Sequence, residues 1–119
     1  RFRSVNISKG GFVFPAGRFI PDSIRIFEEE ILSQLPDHYT SQQALIKDIA
    51  KVHGELLFIH PFREGNGRTS RILANLMARK QGYPGLNFKR IDFNEYIIAV
   101  QQVARKDYSR MEQIIAYTF

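Results

Sequence analysis

The sequence predicts an all-α fold, mainly helical, with one β-hairpin at its N-terminus. Three observations carry that prediction. From residue 20 onward apolar residues recur three to four positions apart, the spacing of one helix face. Pro36, Pro61, and Gly82 followed by Pro84 punctuate these stretches as helix-ending signals. Only residues 3–14 alternate with a period of two, on either side of Lys9-Gly10-Gly11. A length of 119 residues fits one domain with one modest core.

Each element has its own reasons. In the hairpin, Val5, Ile7, Phe12 and Phe14 alternate, and Gly10-Gly11 accepts the positive φ of a tight turn. An isolated hairpin is marginal in water, so this one must lean on a helix. Pro21-Asp22-Ser23 opens the first helix, whose face is Ile24, Phe27, Ile31 and Leu35, and Pro36-Asp37 stops it. The second runs from about Ser41 to Ile59 with Leu45, Ile49, Val52 and Leu56 as its buried stripe; Pro61 ends it. The third begins within the polar hexapeptide Arg63-Glu64-Gly65-Asn66-Gly67-Arg68 and ends at Gly82, a C′ glycine. Asp92-Phe93-Asn94-Glu95 forms a capping box for a fourth helix through Ala104, with Ile97, Val100 and Val103 apolar. Asp107 is expected to cap a fifth helix carrying Met111, Ile114 and Ile115. There is no internal repeat and no low-complexity linker.

Composition narrows the function. With 17 Lys and Arg against 12 Asp and Glu the net charge is +5, which favours an anionic partner. No run of five or six basic residues exists, so a polybasic arm is excluded, and the cations that cluster do so between Arg63 and Lys80. The absence of Cys excludes disulfides, thiolate nucleophiles, Cys-ligated zinc and iron–sulfur clusters. No apolar run approaches the ~20 residues that span a bilayer. No secretory leader is visible, so the expected location is cytoplasmic, without a membrane partner. The chain begins at Arg1 rather than Met, so residues 1–119 are read as part of a longer chain, truncated at its N-terminus, with its C-terminal end left open.

The chemistry concentrates between His60 and Arg71. A helix N-terminus presents unpaired N–H groups and partial positive charge. Gly65 and Gly67 let a ligand approach the backbone there, which outlines a phosphate cradle. Arg68 and Arg71, three apart, share a face of the following helix, and two fixed guanidiniums suit a polyphosphate better than one carboxylate. They sit at the positive end of the helix dipole, where they are unfavourable unless an anion compensates. Glu64 beside a phosphate site is repulsive unless a cation lies between them, and Mg2+ typically takes one or two carboxylates plus phosphate oxygens. His60, at the end of the preceding helix, has an ordinary pKa near 6.5 and is the residue best placed to accept a proton from a hydroxyl.

Bland readings compete with each of these. A histidine at a helix end is more often structural, Gly-Asn-Gly is most often a turn, and arginines at i and i+3 are usually a solvated face. Other nucleotide motifs fail: no Gly-Lys pair exists for a P-loop, and Gly65-x-Gly67 lacks the third glycine and preceding strand of a dinucleotide fingerprint. His53 and His60, seven apart, match no zinc spacing.

Taken together, His60-Pro61-Phe62-Arg63-Glu64-Gly65-Asn66-Gly67-Arg68-Thr69-Ser70-Arg71 resembles the signature of the Fic family, His-x-Phe-x-Asp/Glu-Gly-Asn-Gly-Arg-x-x-Arg, at every defined position. Seven fixed residues at roughly 5% frequency each match by chance about once in a billion starts. Asn6-Ile7-Ser8-Lys9-Gly10-Gly11-Phe12 is similar to the flap that precedes the signature in that family. The resemblance implies a Fic-type helical bundle with the hairpin flap packed beside the active-site loop, and transfer of AMP from ATP to a Ser, Thr or Tyr hydroxyl of a target protein. It implies His60 as general base and Phe62 as the buried anchor of the loop. Glu64 would be the Mg2+ ligand, and Gly65, Asn66 and Gly67 the anion hole, with Asn66 also at the α-phosphate. Arg68 and Arg71 would clamp the β- and γ-phosphates, and Tyr96 would line the nucleotide pocket. Gly11, Phe12, Val13 and Phe14 of the flap would dock an extended target segment by strand addition.

The family's inhibitory helix, Ser/Thr-x-x-x-Glu-Gly/Asn, does not occur in these residues, so a partner to Arg71 would lie in another segment or in a separate antitoxin chain, or nowhere. Related Doc proteins, which transfer phosphate, carry Lys where this chain has Gly67. UMP or phosphocholine transfer, or AMP removal, stay open from the signature. From another class, a basic helical nucleic-acid binder fits the pI of about 9.7. No helix shows the dense basic face it needs, and salt-sensitive DNA binding against ATP–Mg2+ binding discriminates the two.

Overall fold

The structure, a computed structural model, describes residues 1–9 and 11–119. Two short antiparallel strands, β1 (Ser8–Lys9) and β2 (Phe12–Val13), pair with Ser8 opposite Val13 and Lys9 opposite Phe12. One further ladder bond runs from the Phe14 N–H to the Ile7 carbonyl at 3.0 Å. Five α-helices follow among the described residues: α1 (Ile20–Glu30), α2 (Gln42–Ile59), α3 (Asn66–Lys80), α4 (Phe93–Val103) and α5 (Ser109–Thr118). The mainly helical expectation holds, with differences at element ends. The paired part of the hairpin is shorter than residues 3–14, and of its Gly-Gly turn Gly10 lies outside the described residues. α1 ends at Glu30, and Leu32–Gln34 continues as a single 3-10 turn that carries the chain to Pro36.

Helix starts follow side-chain chemistry. The Ser41 hydroxyl accepts the Ala44 N–H at 3.1 Å, and the Asp92 carboxylate accepts the Glu95 N–H at 3.4 Å. Asp107 does not cap α5 in that way: its carboxylate accepts the N–H of Ser109, two residues on, at 3.1 Å, while Tyr108 is the residue flanking the helix. That is an Asx turn leading into the helix. Gly82, at φ +92, follows α3 as the expected left-handed residue.

α2 is the central helix, packed against α1, α3, α4 and α5. Leu45, Ile49 and Leu57 meet Ala74 and Ala78 of α3, Ala99 and Val100 of α4, and Met111 and Ile115 of α5. On its other side Val52, Leu56 and Ile59 meet Ile20 and Phe27. Each such fully buried aliphatic side chain contributes about 1.5–3 kcal/mol. The alanines on α3 and Gly54 on α2 let the helices come close; a Cβ at Gly54 would lie 2.8 Å from Val103 Cγ2. Glu55 is also buried, paired with Lys106 Nζ at 2.8 Å and with the Tyr108 hydroxyl at 3.1 Å, which fixes the α4–α5 junction against α2. This packing sets the end of α2 beside the start of α3.

Candidate active site

The site forms where α2 stops. His60 is its last capped residue and adopts a left-handed backbone, φ 52 and ψ 59, with its N–H on the Leu56 carbonyl at 3.0 Å. A non-glycine residue there is strained by about 1–3 kcal/mol and needs its surroundings to hold it. Pro61 bars further helix. The His60 ring is buried and stacks on Phe14 of the hairpin, centroids 4.0 Å apart at 17°. Nδ1 lies 3.3 Å from the Leu57 carbonyl, an acceptor, so Nδ1 carries the proton and Nε2 holds the free lone pair. Among the described residues Nε2 has no hydrogen-bond partner. Burial, with the charges of Lys9 and Arg3 adding to it, lowers the His60 pKa to about 4, so the ring is neutral at pH 7.

The turn from Phe62 to Asn66 is locked by Asn66. Its Oδ1 accepts the Phe62 N–H at 2.8 Å and its Nδ2 donates to the Phe62 carbonyl at 2.6 Å. With both ends of the amide engaged, what Asn66 offers an anion is its main-chain N–H at the first position of α3. Gly65 precedes it at φ +80, and no side chain caps the helix. Gly67 has a different reason to lack a Cβ, because one would lie 2.9 Å from Arg71 Nη1. The Arg71 guanidinium therefore rests directly over the start of its own helix. Arg68 is exposed, and among the described residues neither it nor Arg71 has a carboxylate partner within 4 Å.

A cavity of about 230 Å³ brings together His60, Gly67, Arg71 and Tyr96 beneath Lys9, Phe12 and Phe14 of the hairpin. Phe14 is buried, Phe12 half-buried, and Val13 points to solvent at 69% exposure. Tyr96 reaches the cavity from α4. Its hydroxyl donates to Nε2 of the buried His53, whose Nδ1 donates to the Ser70 carbonyl of α3 at 3.0 Å. Burial lowers the His53 pKa to about 4, which keeps the ring a neutral acceptor, and burial raises that of the Tyr96 phenol.

Glu64 is not in this cavity. It lines a separate, wider recess with Phe62, Arg63, Thr69 and residues 1–4. Phe62 is half-buried there, 6.0 Å from the Phe2 ring, so it is not the fully buried anchor expected from the signature; Asn66 is what holds the loop. Glu64 is exposed, and among the described residues no three His, Asp or Glu side chains form a ligand group. One open carboxylate is too few ligands to retain a divalent cation alone, but suits one that arrives on phosphate oxygens.

The model of the Fic/DOC family matches residues 1–78. The chain belongs to the Fic/DOC family. The protein named Protein adenylyltransferase Fic from Nematostella vectensis is 32% identical over 100 residues, which cover 82% of this chain and 22% of that protein. Its namesake from Aedes aegypti is 32% identical over 119 residues, covering 97% of this chain and 22% of that one. The chain thus spans about a fifth of the length of these curated relatives. Among solved structures, the BepC protein of Bartonella tribocorum with bound AMPPNP superposes with a TM-score of 0.79 at 21% identity, over 98% of this chain and 56% of that one. The N-terminal Fic domain of a Bartonella quintana effector with bound ADP gives 0.78 at 22%, over 96% and 54%. These structures establish the Fic fold for the whole chain, including the part beyond residue 78. No helix is long and apolar enough to cross a membrane.

Two residues of this Fic site were missed by sequence reasoning. His53 could have been found, since it lies four residues after Ile49 and four before Leu57, on the buried face of α2. Arg3 carried no signal. Its guanidinium, buried beneath the hairpin, donates to the Ile59 and His60 carbonyls at the end of α2, a contact 57 residues away in sequence.

Proposed function

We propose that this Fic domain transfers AMP from ATP to a hydroxyl of a target protein, with His60 as general base. The observation that carries the reading is that the neutral ring of His60, its Nε2 unpartnered, lines one cavity with Gly67 and Arg71. A residue with a free proton acceptor, covered while the hairpin is seated, and an anion cradle then border the same space. The hydroxyl proton passes to Nε2 as the oxygen attacks the α-phosphorus, and the bond from that phosphorus to the β-phosphate oxygen breaks to release pyrophosphate. The main-chain N–H groups of Asn66 and Gly67 are fixed by the helix before the reaction and so stabilise the developing charge without reorganising, and the guanidinium of Arg71 adds its charge beside them. Arg68 extends the cationic surface toward solvent for the outer phosphates. Glu64 is the residue that would hold Mg2+ when ATP brings it, and that ion would neutralise phosphate charge. The hairpin offers β2 for an extended target segment, with Val13 already facing solvent.

A volume of about 230 Å³ falls below the ~300–1,000 Å³ typical of whole-ligand pockets. With the hairpin seated as here, the cavity takes part of a nucleotide, and the rest extends past Arg71. The test is self-labelling with ATP labelled at the α-phosphate or at the γ-phosphate, in Mg2+, alongside His60→Ala. Label from the α-phosphate alone, lost in His60→Ala while ATP binding persists, is the expected result. Label from the γ-phosphate would replace the reading with phosphate transfer, and ATP binding lost with the imidazole would make His60 structural.

A further inference from the structure

Arg3 is an unusual buried cation. It is 2% exposed, and among the described residues no carboxylate lies within 4 Å of it. Its acceptors are instead four main-chain carbonyls from three segments. Nε donates to His60 O, and Nη2 to Ile59 O at 3.1 Å and Pro15 O at 2.6 Å, while Nη1 donates to Val5 O at 2.7 Å. Its own N–H donates to the Pro61 carbonyl at 2.7 Å. The partial negative charge at the end of α2 compensates the guanidinium. The planar fork is what allows one side chain to serve carbonyls from different directions, which an ammonium cannot match. Val5 and Pro15 are the roots of the two arms of the hairpin. Ile59, His60 and Pro61 form the turn whose left-handed residue is the proposed base.

We propose that Arg3 is a positioning residue that ties the turn carrying His60 to the roots of both arms of the hairpin, so that the base keeps its place relative to those roots. The inference rests on His60 being the base, as proposed above. Two features of the fold agree with it. The strained backbone of His60 needs holding from outside α2, and Arg3 supplies three bonds to that turn. The Phe14 ring lies on the imidazole, so any slip of hairpin against turn would shear that stack. The charged groups facing His60 are Arg3 and Lys9 from the N-terminal segment and Arg71 from α3; α4 contributes the phenol of Tyr96 and no charge.

The test compares Arg3→Lys and Arg3→Gln with Lys106→Ala, a stability control that breaks the remote pair with Glu55. Ring-proton NMR without nucleotide follows the titration of His60, with His53 as internal reference, and self-labelling is measured against ATP concentration. In Arg3→Gln the His60 pKa should rise by about half a unit or more, through lost charge and admitted water, while His53 stays put. In both Arg3 variants labelling at saturating ATP should fall by about tenfold or more, with half-saturating ATP changed less than about twofold. Lys106→Ala should lower the melting temperature and leave both readouts alone. Wild-type titration and rate in both Arg3 variants would overturn the proposal, as would an equal loss in Lys106→Ala. If Arg3→Gln does not fold, Arg3→Lys decides by its rate and by His60 exposure. A His60 titration that moves with Arg3 in a protein that never labels would keep the positioning role and sink the transferase reading.

Discussion

Gly67→Ala separates stability from function in one substitution. Gly67 is the second residue of α3 and its φ is not positive, so alanine fits the backbone. In a helix interior that exchange gains up to about 1 kcal/mol, and in a first turn about half of that. For a domain of this size, half a kcal/mol raises the melting temperature by about 2–3 °C. The added Cβ falls 2.9 Å from Arg71 Nη1, the end of a flexible side chain that yields by swinging away from the start of α3. A charge-assisted hydrogen bond is worth about 1.5–3 kcal/mol, so ATP–Mg2+ affinity should fall by about 10- to 100-fold as melting rises. Calorimetric titration and a thermal melt read both quantities. The double mutant with Arg71→Ala isolates the cause: once the guanidinium is gone, the methyl should cost little more. A lower melting temperature, or affinity within about threefold of wild type, would refute the reasoning. A full further loss in the Arg71→Ala background would mean that the methyl obstructs the cradle itself.

Three other expectations follow from the histidines. With the His60 pKa held at about 4 in the unliganded protein, kcat/KM for the target, which reports the free protein, should stay flat from pH 8 down to about 5.5 and fall below it; a half-maximal value near 6.5 would mean the ring is not desolvated as described. The unfolded chain protonates His53 and His60 near 6.5, so between there and about 4 it binds more protons than the native state. Stability is therefore complete above about 6.5 and declines as the pH falls, by at most about 1.4 kcal/mol per histidine per unit, and urea midpoints at pH 7.0 and 5.0 that agree would contradict this. Tyr96→Phe removes the donor to buried His53 Nε2 and should cost about 1–3 kcal/mol in urea unfolding, with a loss under about 0.5 kcal/mol showing that the bond carries no stability.

What was legible in the sequence was whatever is written locally. The stripes of α2 and α4 follow from 3.6-residue spacing, Ser41 and Asp92 name their own helix starts, and the His60–Arg71 signature places base, loop and cations in order. What was not legible is coupling across the fold. Arg3 looks like one more basic residue until the hairpin folds back onto α2. Gly65 and Gly67 read alike in sequence, yet one is there for a left-handed backbone and the other as the seat of a guanidinium. Asn66 reads as a ligand residue, and the fold spends its amide on Phe62. Asp107 was misplaced by one residue because Asx turns and caps share the same short polar side chains.

The burial of His60 bears on how this site works. A general base is most effective when its pKa lies near the working pH, and one held at about 4 is always ready but weak. The largest cause of that low value is burial, and the group lying on the imidazole is Phe14, at the end of the same hairpin that offers β2 to a target. Under the proposed transfer, a hydroxyl reaches Nε2, buried here, only once the hairpin lifts or shears locally. Lifting it admits polar groups and relieves the desolvation, which moves the imidazole toward its ordinary 6.5. Under that reading the target's arrival and the strengthening of the base are one event, and a seated flap leaves the imidazole both covered and weak. That linkage needs no second regulatory site, only a hairpin whose roots stay fastened to the His60 turn while its Phe14 face opens.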